Sequence, residues 1–293
     1  MRAQPECIPC SFRQALNTAR IVSRDPRVQI AIMARLARAM AKPDMTQTPA
    51  ALSQAVYRSV TAVTGIRDPY AAIKRATNRA AMRMLPELIA IVRRASNPLK
   101  SACKLAVAGN IIDLGIGHGF NLAVDVRSIL KQEFAIDAFS AFQRELKPGR
   151  RALYIGDNSG EIVFDRVLVE YLTAAGVATT FVVKSGPIIN DATIEDARLC
   201  GMVDIVPVIT TGSDDIGVYW PRVGPEFKRA FRRADFVIAK GHGNFETCVG
   251  RRGNFYFLLK AKCDIVAREL KVKLGDLVFA HRGKICKSAS STT

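Results

Sequence analysis

The sequence predicts an α/β protein in which a helical N-terminal region packs on a three-layer α/β/α domain with a mainly parallel sheet. From Arg151 onward, short apolar runs rich in β-branched and aromatic residues alternate with stretches whose apolar residues recur at helical spacing. This alternation is typical of a parallel sheet with helices on both faces. Residues 11–100 differ, because they are rich in Ala, Arg, Met and Leu and prolines divide them into several helical segments. We therefore expect a helical region at 1–148, an α/β catalytic domain at 149–287 and a disordered tail at 288–293.

The expected elements follow the chain in a regular order. A helix is expected at 126–146, ending before Pro148 and Gly149. The apolar runs beyond it predict five strands, at 152–155, 179–183, 204–209, 236–239 and 277–280. The segments with helical spacing predict four further helices, at 161–175, 193–199, 225–234 and 255–270.

Polar residues follow four of the predicted strands. Asp157 and Asn158 come directly after the first strand, and Asp191 lies in the loop after the second. Residues 210–214 follow the third strand, and a loop at 240–246 follows the fourth. Because ligands of open parallel sheets bind beyond the carboxyl ends of the strands, we expect these four loops to converge on one rim.

The residue types on this rim favour phosphoryl chemistry. Asp157, Asn158 and Asp191 supply two carboxylates and an amide oxygen, which are hard ligands suited to Mg²⁺ or Mn²⁺. The helix that begins at Glu161 would place its positive end beside them, where anions bind. Lys240 would neutralise charge on a phosphate group. The simpler alternative is that Asp157 only caps this helix.

Roles follow from this constellation. A bound ion would polarise the phosphoryl group and activate a water molecule for attack. A covalent aspartyl-phosphate at Asp157 is the rival route, although the Asp-x-Asp spacing common for such chemistry is absent. Asn244, Glu246 and Glu161 are expected to position the substrate or the water. The assigned catalytic residues are Asp157, Asn158, Asp191 and Lys240, with the first three as metal ligands.

The bulk composition is that of a soluble globular protein, with 49% hydrophobic and 24% charged residues. No apolar run approaches the roughly 20 residues that span a bilayer, and charged residues interrupt the N-terminal segment, so neither a membrane partner nor a secretion signal is expected. Seven scattered cysteines favour a reducing compartment. We expect a cytoplasmic location, and the sequence does not fix an oligomeric state.

The net charge of +17 is unevenly distributed. Residues 1–150 carry 23 Lys and Arg against 10 Asp and Glu, whereas residues 151–293 carry 20 against 16. A basic half is compatible with nucleic acid. However, its arginines are spaced like the solvated faces of helices and lack the interleaved aromatic residues of a single-strand platform. The expected partner is therefore a small phosphorylated metabolite, which positive charge attracts, and not a nucleic acid.

Four motifs occur in a fixed order: Gly-Asp-Asn-Ser-Gly-Glu at 156–161, Asn-Asp-Ala-Thr at 190–193, Lys-Gly-x-Gly-Asn-Phe-Glu at 240–246 and Leu-Leu-Lys-Ala-Lys-Cys at 258–263. An early Cys-Ile-Pro-Cys at 7–10, with Arg13, and Asn-Ile-Ile-Asp at 110–113 accompany them. Together these motifs resemble the prokaryotic branch of the metal-dependent damage-control phosphatases, a family that shares its fold with an acidic-residue methyltransferase-like protein. The likeness extends from residue 7 to about residue 280.

The resemblance implies a helical part over an α/β/α layer and hydrolysis of phosphate monoesters, often damaged sugar phosphates and related metabolites. It also implies a divalent metal such as Mn²⁺, Co²⁺, Ni²⁺ or Mg²⁺. By their positions in the motifs, Asp157, Asn158 and Asp191 would be the metal ligands. The residues that would line the substrate pocket are Asn110, His242, Gly243, Asn244, Phe245, Glu246 and Lys260.

Two other functions stay open. Residues 113–119, Asp-Leu-Gly-Ile-Gly-His-Gly, imitate the glycine loop of S-adenosylmethionine-dependent methyltransferases. The simpler interpretation is that these glycines let a loop approach the rim, which would bring Asn110 and Asp113 near the substrate. The other open function is that of a non-catalytic, basic binding protein that retains the fold.

The Cys7-x-x-Cys10 pair has several interpretations. The alternatives are zinc binding, redox cycling as a dithiol and a purely structural role. Zinc would need two more ligands, and Cys103 and Cys263 would have to be brought to it by the fold.

Overall fold

The computed structural model describes residues 1–109, 122–283 and 285. Helices precede the sheet in sequence and then alternate with its strands. The described helices are α1 Cys7–Val22, α2 Pro26–Ala39, α3 Pro49–Thr64, α4 Ala71–Arg93, α5 Pro98–Ala108, α6 Leu122–Lys131, α7 Phe139–Gln143, α8 Glu161–Ala174, α9 Ile194–Leu199, α10 Pro225–Arg233, α11 Gly241–Cys248 and α12 Asp264–Leu270. The described strands are β1 Phe134–Asp137, β2 Arg151–Ile155, β3 Ala178–Val183, β4 Val208–Thr210, β5 Phe236–Lys240, β6 Phe255–Lys260 and β7 Leu277–His281.

The seven strands form one sheet in the order β1-β7-β6-β5-β2-β3-β4. Every neighbouring pair is parallel except β6 and β7, which run antiparallel. The strand order reverses direction between β5 and β2, which are adjacent in the sheet although β3 and β4 separate them in sequence. The predicted fold class, α/β with a mainly parallel sheet, is therefore confirmed.

Helices cover both faces of the sheet. Successive residues of β2 point to opposite sides: Tyr154 lies in a core shared with α5 and α8, while Leu153 and Ile155 lie in a second core shared with α10 and α11. All three side chains are at most 1% exposed. A strand buried on both faces is apolar at consecutive positions, and this explains why these strands were visible in the sequence.

The helices at the start of the chain divide between two places. α1, α2 and α3 pack around Ala15, Leu36 and Val56, in a core that also includes Ile216 and Ile265. Through α3 they contact α11 at one end of the sheet. α4 instead packs along α8, and its Leu85 and Leu88 join the core on that face. The helical region therefore reaches the sheet domain from two sides.

The predicted helix at 255–270 is wrong in its first half. Residues Phe255–Lys260 form β6, the middle partner of β5 and β7, and only Asp264–Leu270 is helical. The segment is apolar at every position from 255 to 259, so its periodicity cannot separate a buried strand from a buried helix.

The predicted helix at 126–146 is also wrong as a single element. It contains the end of α6, then β1, then the short α7. The predicted strand at 204–209 is shorter than expected, because 204–206 form a turn and pairing with β3 begins at Val208.

β1 comes from the first 148 residues yet pairs with β7 in the common sheet. The boundary at residue 148 stays a prediction, and the proposed tail at 288–293 lies outside the described residues. Within the described residues, none of the helices has the length and apolar character needed to cross a bilayer.

Candidate active site at the carboxyl edge of the sheet

The turn after β2 and the loop after β3 are bonded to each other. Asn158 and Asp191 form an isolated antiparallel bridge. Beside it, the amide of Ala192 donates to the carbonyl oxygen of Asp157 at 2.8 Å. Directly opposed residues of such a bridge carry their side chains on the same side. The structure thus brings Asp157, Asn158 and Asp191 together, as the sequence pattern predicts.

Asp157 does not act as a helix cap. α8 begins at Glu161, its N-cap is Gly160, and no side chain caps it. The Asp157 carboxylate instead lies against Gly241, where α11 begins. Gly241 has a φ of 74°, and a Cβ at this position would overlap the carboxylate. Glycine is therefore required at residue 241 for both its conformation and this contact.

Negative charge accumulates at this turn. Burial raises the pKa of Asp157 well above its usual value, and the nearby carboxylates of Glu161 and Asp191 raise it further. Burial also raises the pKa of Asp191 to about 6, although Lys184 opposes this shift. Burial and crowding favour the protonated forms of these acidic side chains, and a nearby positive charge would favour the ionised forms.

Lys184 is a member of the site to which the sequence analysis assigned no role. Its Nζ lies 3.6 Å from Asp191 Oδ2, and the side chain is 3% exposed. The same ammonium group donates to the carbonyl oxygen of Gly217, in the segment after β4. The loop after β4 thus reaches the site through a backbone carbonyl.

The orientation of Asn158 fits the donor set that a hard cation requires. Its Nδ2 donates to Glu161 Oε1 at 2.8 Å, which leaves the amide oxygen available as a ligand. In the described part of the chain, no group of three or more His, Cys, Asp or Glu side chains is placed to hold a metal. A cation here would therefore depend on the Asn158 amide as well as on Asp157 and Asp191.

Lys240 lies at the end of β5 and is fully buried. Its Nζ is 2.7 Å from Asp165 Oδ1 and 3.6 Å from Glu161 Oε2. Burial disfavours the charged lysine, but Asp165 and Glu161 outweigh it and raise the pKa of Lys240. Burial raises the pKa of Asp165 to about 6, against the effect of Lys240. Lys240 is thus a counter-ion within the site, and its contact with a phosphate stays a prediction.

Helix α4 supports the turn from behind through residues that the sequence analysis missed. The amide of Gly160 donates to Asn78 Oδ1 at 2.6 Å, and Asn78 Nδ2 donates to Asp196 Oδ1 at 2.6 Å. Lys74 Nζ lies 3.0 Å from the other oxygen of Asp196. Asn78 is completely buried. The only local signal was Thr193 with Asp196, which form a capping box at the start of α9.

The segment predicted as a loop at 240–246 is mostly helix α11. Asn244 ties this helix to the neighbouring strands, because its Nδ2 donates to the carbonyl oxygens of Gly156 at 2.9 Å and Lys240 at 2.8 Å. Its Oδ1 is buried and has no hydrogen-bond partner among the described residues. Asn244 therefore fixes the first turn of α11 beneath Asp157, and its substrate contact stays a prediction.

His242 is held by the backbone at the end of β6. Its Nε2 lies 2.7 Å from the carbonyl oxygen of Lys260. Burial lowers the pKa of His242 to about 4, so the ring is neutral at pH 7. Gly243 packs against the segment after β4, where a Cβ would come 3.2 Å from Ile216. The substrate roles expected for His242, Gly243 and Lys260 stay predictions.

Phe245 and Glu246 point elsewhere. Phe245 is fully buried, and its ring meets that of Phe257 edge-on at 5.1 Å in the core. The Glu246 carboxylate accepts a bond from the amide of Ala50, in the first turn of α3. The structure therefore does not bring these two side chains to the proposed metal turn, which is the segment 156–160 that carries Asp157 and Asn158. Asn110 and Asp113 lie outside the described residues.

Among the residues that the structure describes, no group of three or more His, Cys, Asp or Glu side chains joins Cys7 and Cys10 in a zinc site. Cys7 is buried and Cys10 exposed on α1, while Cys103 is buried within α5. Burial raises the pKa of Cys7, which disfavours the thiolate that a metal or a disulfide exchange needs. These positions favour a structural role for Cys7.

An acid-rich turn between a strand and a helix, at the carboxyl edge of an α/β/α sheet, defines a class of enzyme suited to phosphoryl chemistry. The family model for the damage-control phosphatase ARMT1-like domain matches residues 3–278. The chain belongs to this family, and it is a phosphatase.

Similar proteins support this placement. A damage-control phosphatase of Pyrococcus horikoshii is 36% identical over 282 residues, covering 95% of this chain and 97% of the relative. One of Archaeoglobus fulgidus is 32% identical over 286 residues, covering 95% and 98%. The crystal structure of the DUF89 family protein from Pyrococcus horikoshii matches with a TM-score of 0.89 at 35% identity, covering 96% of this chain and 99% of that one.

Proposed function

We propose that the protein is a divalent-metal-dependent phosphatase that hydrolyses phosphate monoesters of small metabolites, such as sugar phosphates or damaged phosphometabolites. The observation that carries the proposal is the bonded pair of loops that gathers Asp157, Asn158 and Asp191. The accumulated negative charge there would be balanced by a cation with two positive charges. Mn²⁺, Co²⁺, Ni²⁺ and Mg²⁺ all accept this oxygen-rich donor set.

Each neighbouring side chain has a task that its contacts define. When bound, the ion would supply a Lewis acid for the phosphoryl group. Glu161 accepts a hydrogen bond from the Asn158 amide nitrogen, which would leave the amide oxygen available to the ion. Lys184 lies beside Asp191 and Lys240 beside Glu161, so each ammonium group would offset part of the negative charge of the site. A water molecule, and not Asp157, is proposed as the nucleophile.

The experiment is hydrolysis of p-nitrophenyl phosphate in the presence of each of the four ions. Chelator should abolish turnover, and at least one ion should restore it. Replacing Asp191 by Asn should weaken binding of that ion by calorimetry, because it removes a charge from the site. The exposed Asp204→Asn is the matched control and should bind the ion normally. Turnover that persists in chelator would overturn the proposal.

We also propose that the reaction takes place in the cytoplasm. The support is the cysteine usage: the six cysteines of the described residues are all free. Fractionation of cells that express the tagged protein would test this location.

A further inference from the structure

A second cleft lies between the helical region and the segment that follows β4. Its volume is about 730 Å³, and α2, α3 and the segment 215–219 form its walls. None of the three proposed metal ligands lines it. A volume of this size is typical of small-molecule sites, which run from about 300 to 1,000 Å³.

Four cationic side chains line this cleft. Arg35 and Arg38 come from one face of α2, Lys42 from the turn that follows, and Arg58 from α3. None of them forms a salt bridge with any residue that the structure describes. Like charges that share a concave wall repel one another, so an anionic ligand would stabilise the cluster.

The acidic side chains of the cleft do not compensate this charge. Asp44 is engaged by its own turn, where its carboxylate accepts bonds from Thr46 at 2.6 Å and Gln47 at 3.0 Å. Asp215 is paired with Arg222 at 3.2 Å. The four cations therefore outnumber the carboxylates of the lining, and those carboxylates already have partners.

The lining also includes apolar and aromatic side chains. Leu52 and Ile216 are buried beneath the cleft, and Tyr219 stands at its edge with 37% of its surface exposed. An exposed aromatic ring beside a cluster of cations is suited to a ligand that combines a flat ring with phosphate groups.

We propose that this cleft binds a nucleoside diphosphate, with the pyrophosphate group held by Arg35, Arg38, Lys42 and Arg58 and the base stacked on Tyr219. Guanidinium groups bind phosphate oxygens in pairs, and two phosphates would engage more than one arginine at once. None of the proposed metal ligands takes part in this binding, which would give part of the basic surplus of the first 150 residues a function.

Calorimetry with ADP and with inorganic pyrophosphate, both in the presence of chelator, tests the proposal without requiring turnover. Arg35→Ala/Arg38→Ala should weaken both probes at least about tenfold, because charge-assisted bonds are lost. The matched control is Arg75→Ala/Arg79→Ala, which removes the same charge from exposed positions of α4 and should change affinity less than about twofold. Tyr219→Ala should weaken ADP but not pyrophosphate.

Several results would overturn the site. Equal losses in both double variants would mean that only the overall charge attracts the probes. Failure of the wild-type protein to bind millimolar ADP would exclude the ligand class. A single-stranded oligonucleotide that displaces ADP and binds more tightly would assign the cleft to nucleic acid. Hydrolysis of p-nitrophenyl phosphate by Arg35→Ala/Arg38→Ala should match wild type, and a parallel loss would place the cleft within the phosphatase site.

Discussion

The helical region and the sheet domain differ in where their charged side chains lie. Every described residue that we assign to the metal turn follows a strand, and buried ion pairs such as Lys240–Asp165 surround it. The helical region holds most of the positive surplus at exposed positions and sends one buried asparagine, Asn78, to the back of the turn. The proposed catalytic residues thus belong to one region, while the other supplies a supporting side chain and most of the positive surplus.

The largest expected effect concerns the sheet domain. Lys240→Ala leaves Asp165 buried without its main counter-ion and should cost about 3–5 kcal/mol in the free energy of unfolding. The paired variant Lys240→Met/Asp165→Asn removes both charges and should recover at least half of this loss. Urea denaturation of the two variants measures the difference. If the paired variant is no more stable than Lys240→Ala, loss of the ion pair does not explain the destabilisation.

The paired variant also tests the phosphate role of Lys240. A well-folded Lys240→Met/Asp165→Asn protein that binds metal but hydrolyses p-nitrophenyl phosphate at least about 100-fold more slowly would support direct charge stabilisation by the lysine. Normal turnover would restrict Lys240 to the counter-ion role.

The next effect tests whether the helical region supports the turn. Asn78→Ala leaves the Gly160 amide and an Asp196 oxygen without this partner, which should cost about 2–3 kcal/mol in unfolding free energy. Because the Gly160 amide belongs to the metal turn, metal affinity should also fall, by about tenfold. Denaturation and calorimetry measure the two effects. Thr77→Ala, one residue earlier on α4, is the control and should alter neither by much. A stability loss with unchanged metal affinity would make Asn78 purely structural.

A pH-dependent effect tests the contact between α3 and α11. Burial raises the pKa of Glu246 to about 7 from its usual 4.5, although the Ala50 amide opposes the shift. Between these values the folded chain retains a proton that the unfolded chain releases, so this group reduces stability as pH rises from 4.5 to 7. The loss should be on the order of 2 kcal/mol. Glu246→Gln should remove that slope from the wild-type profile in urea titrations at several pH values. Parallel profiles would mean that Glu246 ionises normally.

The smallest expected effect is the change in stability when two exposed arginines of α4 are removed. Arg75→Ala/Arg79→Ala should change the free energy of unfolding by less than about 0.5 kcal/mol per site, because both side chains are exposed and form no salt bridge among the described residues. A thermal melt beside the wild-type protein is sufficient. A loss above about 2 kcal/mol would show that the surplus charge stabilises the fold.

Local sequence signals predicted the position of the turn that carries Asp157 and Asn158 well. The apolar run that ends at Gly156 and the helical spacing after Glu161 fixed where β2 ends and α8 begins. The parallel arrangement then placed Asp191 beside Asn158, because both follow strands that end at one edge.

Features that depend on distant partners were not predictable. Asn78 bonds to residues 82 and 118 positions away, and nothing around it in α4 marks it. α11 was missed because Gly241 and Gly243 are poor helix formers. Glycine is required at these two positions because they lie in close contact with Asp157 and with the Ile216–Gly217 segment. A single sequence does not reveal such contacts.

The pairing of β1 with β7 has a consequence for biosynthesis. Among the described strands, β1 lies at the edge of the sheet and pairs with β7 alone, and their paired residues Phe134 and Leu277 are separated by nearly half of the chain. The ribosome must therefore translate past residue 281 before β1 can pair with β7. Until then, β1 of the nascent chain is unable to form this part of the sheet. Dividing the chain at residue 148 would separate β1 from β7. Each fragment would then expose an unpaired strand edge, which favours aggregation.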